Sequence, residues 1–322
     1  MRKTIEPLLV GLGVFLILGA ILLRFYAYPT VAVAPNDQQS VTSLEAKDAT
    51  LFDAGTLETI TTDLSVKNRT VGDVKASEKA PDNAVVWVST TSIRSSDGVV
   101  RSRSVERAAF DEYTGEAVDC CGNFVEETDG EREEIKREGL VFKFPFATEK
   151  KTYMFWDGTL RDAVPAKYTG TDTVNGLDVY KFETDVPDTV VGTQDLPRSV
   201  LGLSGTGNIT ADSHYQDHAT HYVDPPTGAV VNRVETLKNW FEADGEELIT
   251  TEADLAYTKA SVAATIDQVD TKGKLLNAIH GIVPIVAGVL GLILLVIGLV
   301  LTVRTRREQD EAPATERSKV SV

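Results

Sequence analysis

Three histidines lie close together and could, by their side-chain type, bind a metal ion. His214, His218 and His221 are separated by three and then two residues. On a helix this spacing would place three imidazoles on one face, as a zinc site requires. The β-branched and aromatic residues around them favour a strand instead, and there His214 and His218 share one face while His221 faces the other way. We therefore interpret the three histidines as strand residues, with a metal site as the alternative.

The two cysteines of the chain, Cys120 and Cys121, are adjacent. Outside the cytoplasm such thiols do not stay reduced, and the pair is predicted to form a disulfide within one chain. This bond would make the turn at residues 119–122 rigid. Pairing with another chain and a two-cysteine metal site remain open, whereas redox catalysis more usually needs Cys-x-x-Cys.

The sequence contains no motif of a known catalytic centre. It has no HExxH, no G-x-S-x-G elbow, no P-loop, no dinucleotide-binding fingerprint and no EF-hand loop. We therefore predict a protein that is not an enzyme and that uses no cofactor.

Two long apolar stretches near the ends of the chain predict transmembrane helices at residues 8–28 and 282–303. A bilayer core of about 30 Å needs roughly 20 apolar residues in a helix, and both stretches reach that length. The first could instead be a cleaved signal peptide. Its length, with Arg24, Tyr26 and Tyr28 after its apolar core, favours a retained helix with an interfacial aromatic belt.

Basic residues flank both predicted spans on their outer sides. Arg2 and Lys3 precede the first, and Arg304, Arg306 and Arg307 follow the second. The positive-inside rule then places residues 1–7 and 304–322 in the cytoplasm and residues 29–281 outside it. The sequence thus predicts a two-pass plasma-membrane protein with both termini cytoplasmic. The polar segment 309–322 is predicted to be a disordered tail.

The charge of the chain restricts its partners. Its 322 residues include 48 acidic and 32 basic ones, a formal net charge of −16. Most of the acidic residues lie in the middle, where they would repel nucleic acid. The membrane is the one partner that the sequence predicts directly.

Alternating and β-branched segments in the middle predict a mainly β, antiparallel extracytoplasmic domain flanked by the two transmembrane α-helices. Asn175-Gly176 suits a type I′ hairpin turn, and a second hairpin is centred on residues 224–228. The predicted strands cover residues 84–93, 99–110, 140–146, 152–156, 168–174, 177–182, 218–223, 229–237 and 250–257. We expect a long loop or short helix at residues 186–207. Residues 261–280 are predicted to be helical, with a break near Gly273.

Four features together resemble an actinobacterial membrane family of unknown function, the porin PorA family. They are the exit of the first span (residues 25–29), the Cys-Cys-Gly turn at 120–122, the hairpin at 222–228, and the terminal span with its basic flank at 304–307. The resemblance covers nearly the whole chain and implies a cell-envelope protein. The layout is also similar to that of the class B scavenger receptors, in which two terminal helices flank a β-rich ectodomain.

The sequence leaves three functional hypotheses. The first is a non-enzymatic envelope protein that binds or transfers an amphipathic ligand such as a lipid or lipoglycan. The second is a metal-dependent envelope hydrolase using His214, His218 and His221. The third is a structural scaffold for envelope enzymes. A cavity would favour the first, converging imidazoles the second, and a solid domain with an exposed apolar patch the third.

Overall fold

The computed structural model describes residues 2–81, 83–127 and 130–310. The chain divides into two compact units. One unit comprises residues 32–273, and the other comprises residues up to 31 together with residues from 274 onward. The predicted tail from residue 311 lies outside the described residues.

The unit of residues 32–273 is built on an antiparallel sheet, which has thirteen strands within the described part of the chain. The strands are β1 Gln39–Asp53, β2 Glu58–Gly72, β3 Ala84–Ser95, β4 Val100–Asp111, β5 Ala117–Val118, β6 Phe124–Glu126, β7 Arg132–Glu134, β8 Tyr153–Asp157, β9 Asp162–Val174, β10 Leu177–Pro197, β11 Asn208–Val223, β12 Val230–Ala243 and β13 Glu246–Tyr257. Their order is β7-β6-β4-β3-β2-β1-β13-β12-β11-β10-β9-β8, with β5 beside β4.

Most neighbours in the sheet are also neighbours in sequence, joined by short turns. Two pairs are not neighbours in sequence. Strand β4 pairs with β6 as well as with the two-residue β5, and β1 pairs with β13, where Leu44 lies opposite Tyr257 and the two halves of the sheet meet. The predicted Asn175-Gly176 hairpin is confirmed, with Leu177 opposite Val174. Both turn residues have positive φ, as a type I′ turn requires. The predicted antiparallel β fold is confirmed.

Three local predictions were wrong. Residues 140–146 form no strand, because Phe142 and Ala147 take positive φ and the intervening backbone bonds to loops. Residues 186–207 are mostly strand, since β10 runs on to Pro197 before a short 3₁₀ turn at Arg198–Leu201. Helix α4, Lys259–Asn277, passes through Gly273 without a break.

The other unit consists of helices. Helix α1 spans Arg2–Leu22 and is followed by a π-helical turn, Leu23–Ala27, and by α2, Tyr28–Val31. Beyond α3 (Val74–Ser77, in the β unit) and α4, a π-helical turn at Ala278–Ile282 leads into α5, Val283–Asp310. Within the described residues, two helical stretches, Ile5–Val31 and Lys259–Thr305, are long and apolar enough to cross a membrane.

Helices α1 and α5 approach closely where both carry glycine. A Cβ built on Gly13 would lie 2.7 Å from the carbonyl oxygen of Gly291. Near the other end of the pair, the Thr305 hydroxyl donates to Glu6 Oε1 at 2.6 Å. Small residues at such crossings let two backbones pack side by side, which is how apolar helices associate in lipid.

Candidate functional site

A large cavity lies inside the β unit, with a volume of about 1210 Å³. Inward-facing residues of β1–β4 form one wall and those of β11–β13 another, while the 141–146 segment and α4 also contribute. Drug-sized ligands occupy pockets of roughly 300–1,000 Å³, so this space is large enough for a sizeable molecule.

Aromatic side chains cover one part of the wall. Trp87 packs edge-on against Phe110, with ring centroids 4.8 Å apart, and lies 5.8 Å from Phe142. The indole N–H of Trp87 donates to the carbonyl oxygen of Pro35 at 2.9 Å. The indole N–H of Trp87 is thus hydrogen-bonded and the rings pack on one another, so this surface can contact an apolar ligand without rearranging.

A polar strip runs across β2 and β3. The amide nitrogen of Asn68 donates to Ser89 Oγ at 2.7 Å and to Thr91 Oγ1 at 2.9 Å. Thr70 Oγ1 donates to Asn68 Oδ1 at 3.0 Å. All four residues line the cavity. The lining is therefore amphipathic, with aromatic and hydrogen-bonding surfaces side by side.

Ionisable groups on β11 and β12 also line the cavity. Arg233 pairs with Glu235 at 2.8 Å, and Asp217 is buried on the neighbouring strand. Burial, with the nearby Glu235 carboxylate, raises the pKa of Asp217 to about 8. At neutral pH, Asp217 is therefore mainly a neutral carboxylic acid that can share its proton with Glu235.

A second ion pair lies on the β4 side, and its Arg137 side chain is buried. Arg137 donates to Glu106 Oε2 at 3.2 Å and to the carbonyl oxygen of Arg107 at 2.9 Å. Burial raises the pKa of Glu106, and the positive charge of Arg137 opposes that shift. Both residues line the cavity, so charge is present on each side of it.

A loop and a helix bring two lysines to the same aromatic ring. Lys143 Nζ lies 3.9 Å from the centroid of Phe146, and Lys272 Nζ lies 5.1 Å from it. The irregular 140–147 segment is held in place by backbone bonds, including Val141 N–H to Gly115 O and Phe144 N–H to Gly228 O. Gly228 has positive φ, and a Cβ there would collide with the Phe144 carbonyl. Sequence reasoning missed both lysines. Lys143 is the single charge of the apolar segment 140–146, whereas Lys272 lies in α4 among Asp267, Asp270 and Lys274 and has no such signal.

The three predicted histidines fall on β11 but face different directions. His221 is buried in the cavity wall beside Phe155, and burial lowers its pKa to about 3, so it is uncharged. His214 stacks on Trp240 and contacts Asp188 Oδ1 at 2.6 Å, while His218 Nδ1 lies 3.5 Å from Asp185. The imidazoles do not converge, and no group of three potential metal ligands occurs among the described residues.

Cys120 and Cys121 lie in the turn between β5 and β6, where the structure joins their sulfur atoms in a disulfide. Cys121 and Gly122 both have positive φ. Neither cysteine lines the cavity. The pair is thus a feature of the turn, apart from the candidate ligand site.

The fold and site define a class of protein, a cavity-containing antiparallel β unit carried on a chain with apolar terminal helices. The model of the family described as Porin PorA matches residues 6–300. The chain belongs to the PorA porin family, and it is a membrane protein of the cell envelope.

Two relatives, both corynebacterial and both named Porin PorA, are similar to this chain. The protein from Corynebacterium amycolatum is 23% identical over 312 residues, covering 77% of this chain and 80% of the relative. The protein from Corynebacterium resistens is 24% identical over 245 residues, covering 65% of this chain and 58% of the relative. The resemblance seen in the sequence motifs is confirmed.

Proposed function

We propose that this chain is a non-enzymatic envelope protein whose β unit binds an amphipathic ligand, a lipid or lipoglycan, in its internal cavity. The observation that carries the proposal is the cavity itself, about 1210 Å³ in volume and lined by both aromatic and polar residues. Amphipathic walls match a molecule with an apolar chain and a polar head. Ligand binding inside the β unit needs no catalytic residues.

We also propose a two-pass topology with both termini in the cytoplasm and the β unit outside it. The two apolar helices and the basic residues flanking them support this arrangement. A Cys120–Cys121 disulfide accords with it, because disulfides persist mainly in oxidising compartments. The same helices would anchor the β unit to the membrane.

Lipid analysis of the purified full-length protein tests the ligand proposal. The protein is extracted in mild detergent, its lipids are identified by mass spectrometry, and a detergent-matched control without the protein gives the background. We expect one lipid class to be enriched over that background. An absence of enrichment would overturn the proposal.

Two neighbouring residues of β3 provide a matched pair of variants. Thr91 lines the cavity, whereas the side chain of Thr90 points to the other face of the strand. Thr91→Trp should fill part of the cavity and lower the bound lipid several-fold, and Thr90→Trp should leave it unchanged. Equal lipid content in the two variants would place the lipid outside the cavity.

The name of the relatives supplies a second candidate, a channel for small polar solutes. The hydrogen-bonding strip of Asn68, Ser89 and Thr91 on the cavity wall favours it. Conductance of the reconstituted full-length chain in planar bilayers would test it. Hydrolysis by His214, His218 and His221 receives no comparable support, since the three side chains diverge.

A further inference from the structure

The cationic groups that line the cavity differ in whether a carboxylate compensates them. Arg137 pairs with Glu106, Arg161 with Glu133 and Arg233 with Glu235, at N–O distances of 3.2, 2.8 and 2.8 Å. Lys143 and Lys272 also line the cavity, and neither forms an ion pair in the part of the chain that the structure describes.

Lys143 is the more unusual of the two lysines. It is 7% exposed, and its Nζ has no hydrogen-bond partner among the described residues. Asp111 is the acidic group that acts on it through space, but the Asp111 carboxylate already accepts bonds from the backbone N–H groups of Tyr113 and Thr114. Burial and the positive charge of Lys272 lower the pKa of Lys143 to about 7.

Lys272 brings a second ammonium group to the same place. Its Nζ donates to the carbonyl oxygen of Val33 at 2.9 Å, which leaves N–H groups for another acceptor. Both ammonium groups contact the Phe146 ring, whose π system stabilises positive charge, and Lys272 is close enough to act electrostatically on Lys143. The ring is a weak partner for two ammonium groups, so burial favours the neutral form of Lys143, and a bound anion would hold this lysine in its charged form.

We propose that Lys143 and Lys272 form a subsite for an anionic group, a phosphate or a carboxylate. An anion between them would accept charge-assisted hydrogen bonds from both and remove their mutual repulsion. If the cavity binds an amphiphile, as proposed above, this anionic group is the head group of that ligand. The aromatic wall at Trp87 and Phe142 then contacts the apolar part. The ligand is therefore an anionic amphiphile.

The test uses full-length protein in detergent and native mass spectrometry. Three probes are compared: phosphatidic acid, phosphatidylcholine with the same acyl chains, and inorganic phosphate. We expect the wild-type chain to bind phosphatidic acid about tenfold more tightly than phosphatidylcholine, as hydrogen bonds between charged partners imply. Inorganic phosphate at the same concentration should bind weakly, because it lacks the apolar chain.

Two variants separate the subsite from the cavity. Lys143→Met and Lys272→Met keep most of the side-chain length but remove the charge, and each should abolish the preference for phosphatidic acid while preserving phosphatidylcholine binding. Lys67→Met changes an exposed lysine of β2 and should preserve the preference. Lys272→Arg keeps the charge and should also preserve the preference for phosphatidic acid. It provides a charge-conserving comparison if a methionine variant fails to fold.

Each outcome bears on one of the two proposals. If the wild-type chain binds both lipids equally, or both methionine variants keep the preference, the lysine subsite is overturned and the lipid cavity stands. If only inorganic phosphate binds and the variants lose it, the subsite stands and the lipid function fails. Binding of none of the three probes would overturn both.

Discussion

At the scale of single residues, the candidate site contains buried polar groups whose pKa values are shifted. Asp217, His221 and Lys143 each have a pKa shifted toward the neutral form by burial. Such shifts often mark functional sites, because a fold keeps an unfavourable group where a ligand or a proton uses it. Here the shifted groups all face one cavity.

The protonated Asp217 predicts a dependence of stability on pH. Its folded pKa of about 8 exceeds that of an unfolded aspartate, so its contribution is complete below about pH 4 and is lost as the pH rises toward 8. The free energy of unfolding should therefore fall by up to about 1.4 kcal/mol per pH unit in that window.

Thermal unfolding of the full-length protein between pH 5.5 and 8.5 measures this effect. Asp217→Asn resembles the protonated aspartate in shape but cannot titrate. Its melting temperature should therefore vary less with pH than that of the wild-type chain. Asp172→Asn, an exposed aspartate on β9, is the control and should behave as wild type. Parallel curves for wild type and Asp217→Asn would contradict the assigned protonation.

At the scale of elements, the contact between α1 and α5 depends on glycine. A Cβ at Gly291 would lie 2.8 Å from the Gly13 carbonyl oxygen and 2.9 Å from Ile17, whereas one at Gly288 meets nothing within 4 Å. Gly291→Leu should separate the two helices at a cost of about 1–3 kcal/mol, as overpacking does, and Gly288→Leu should be tolerated.

Cross-linking between α1 and α5 measures whether the two helices have separated. Cysteines replacing Glu6 and Thr305, whose side chains are hydrogen-bonded, should be joined by a short bis-maleimide cross-linker. We expect the cross-link to persist with Gly288→Leu and to be lost with Gly291→Leu. Equal cross-linking in both backgrounds would show that the glycine contact does not hold the pair.

Local sequence patterns predicted the strands and turns that are determined by their own residues and not by tertiary contacts. The hairpins at Asn175-Gly176 and at residues 224–228 follow from turn chemistry, and β3 follows from its β-branched composition. Strands β1 and β2 went unpredicted because many of their inward residues are small or polar, such as Ala46 and Thr70, so the alternation is weak.

The candidate site was less predictable than the fold, because tertiary contacts make it. The sequence 140–146 looks like a strand, yet its carbonyl and N–H groups bond to loops around Gly115 and Gly228. That irregular path places Lys143 beside Lys272, which is more than 120 residues away in the sequence. No local hydrophobic periodicity in the sequence predicts a contact between residues so far apart.

At the scale of the whole molecule, the two parts of the chain suit two different environments, lipid and water. The terminal helices carry exposed large apolar side chains throughout, as a lipid environment requires, while the acidic β unit suits water. Charge segregation adds a direction to this division, since basic residues flank the outer ends of both apolar helices. The proposed orientation, with both termini in the cytoplasm, rests on these Arg and Lys residues near the termini.

Accessibility to a membrane-impermeant maleimide tests that orientation in intact cells. Asp172→Cys lies on the exposed face of β9 and should be labelled from outside, because the β unit is proposed to be extracytoplasmic. Ser318→Cys, which follows the basic flank 304–307 in the sequence, should be labelled only after the cells are permeabilised. The parent chain, with its two cysteines bonded to each other, provides the background. Labelling of Ser318→Cys in intact cells would place the C-terminus outside, and the basic flank would then not determine the topology.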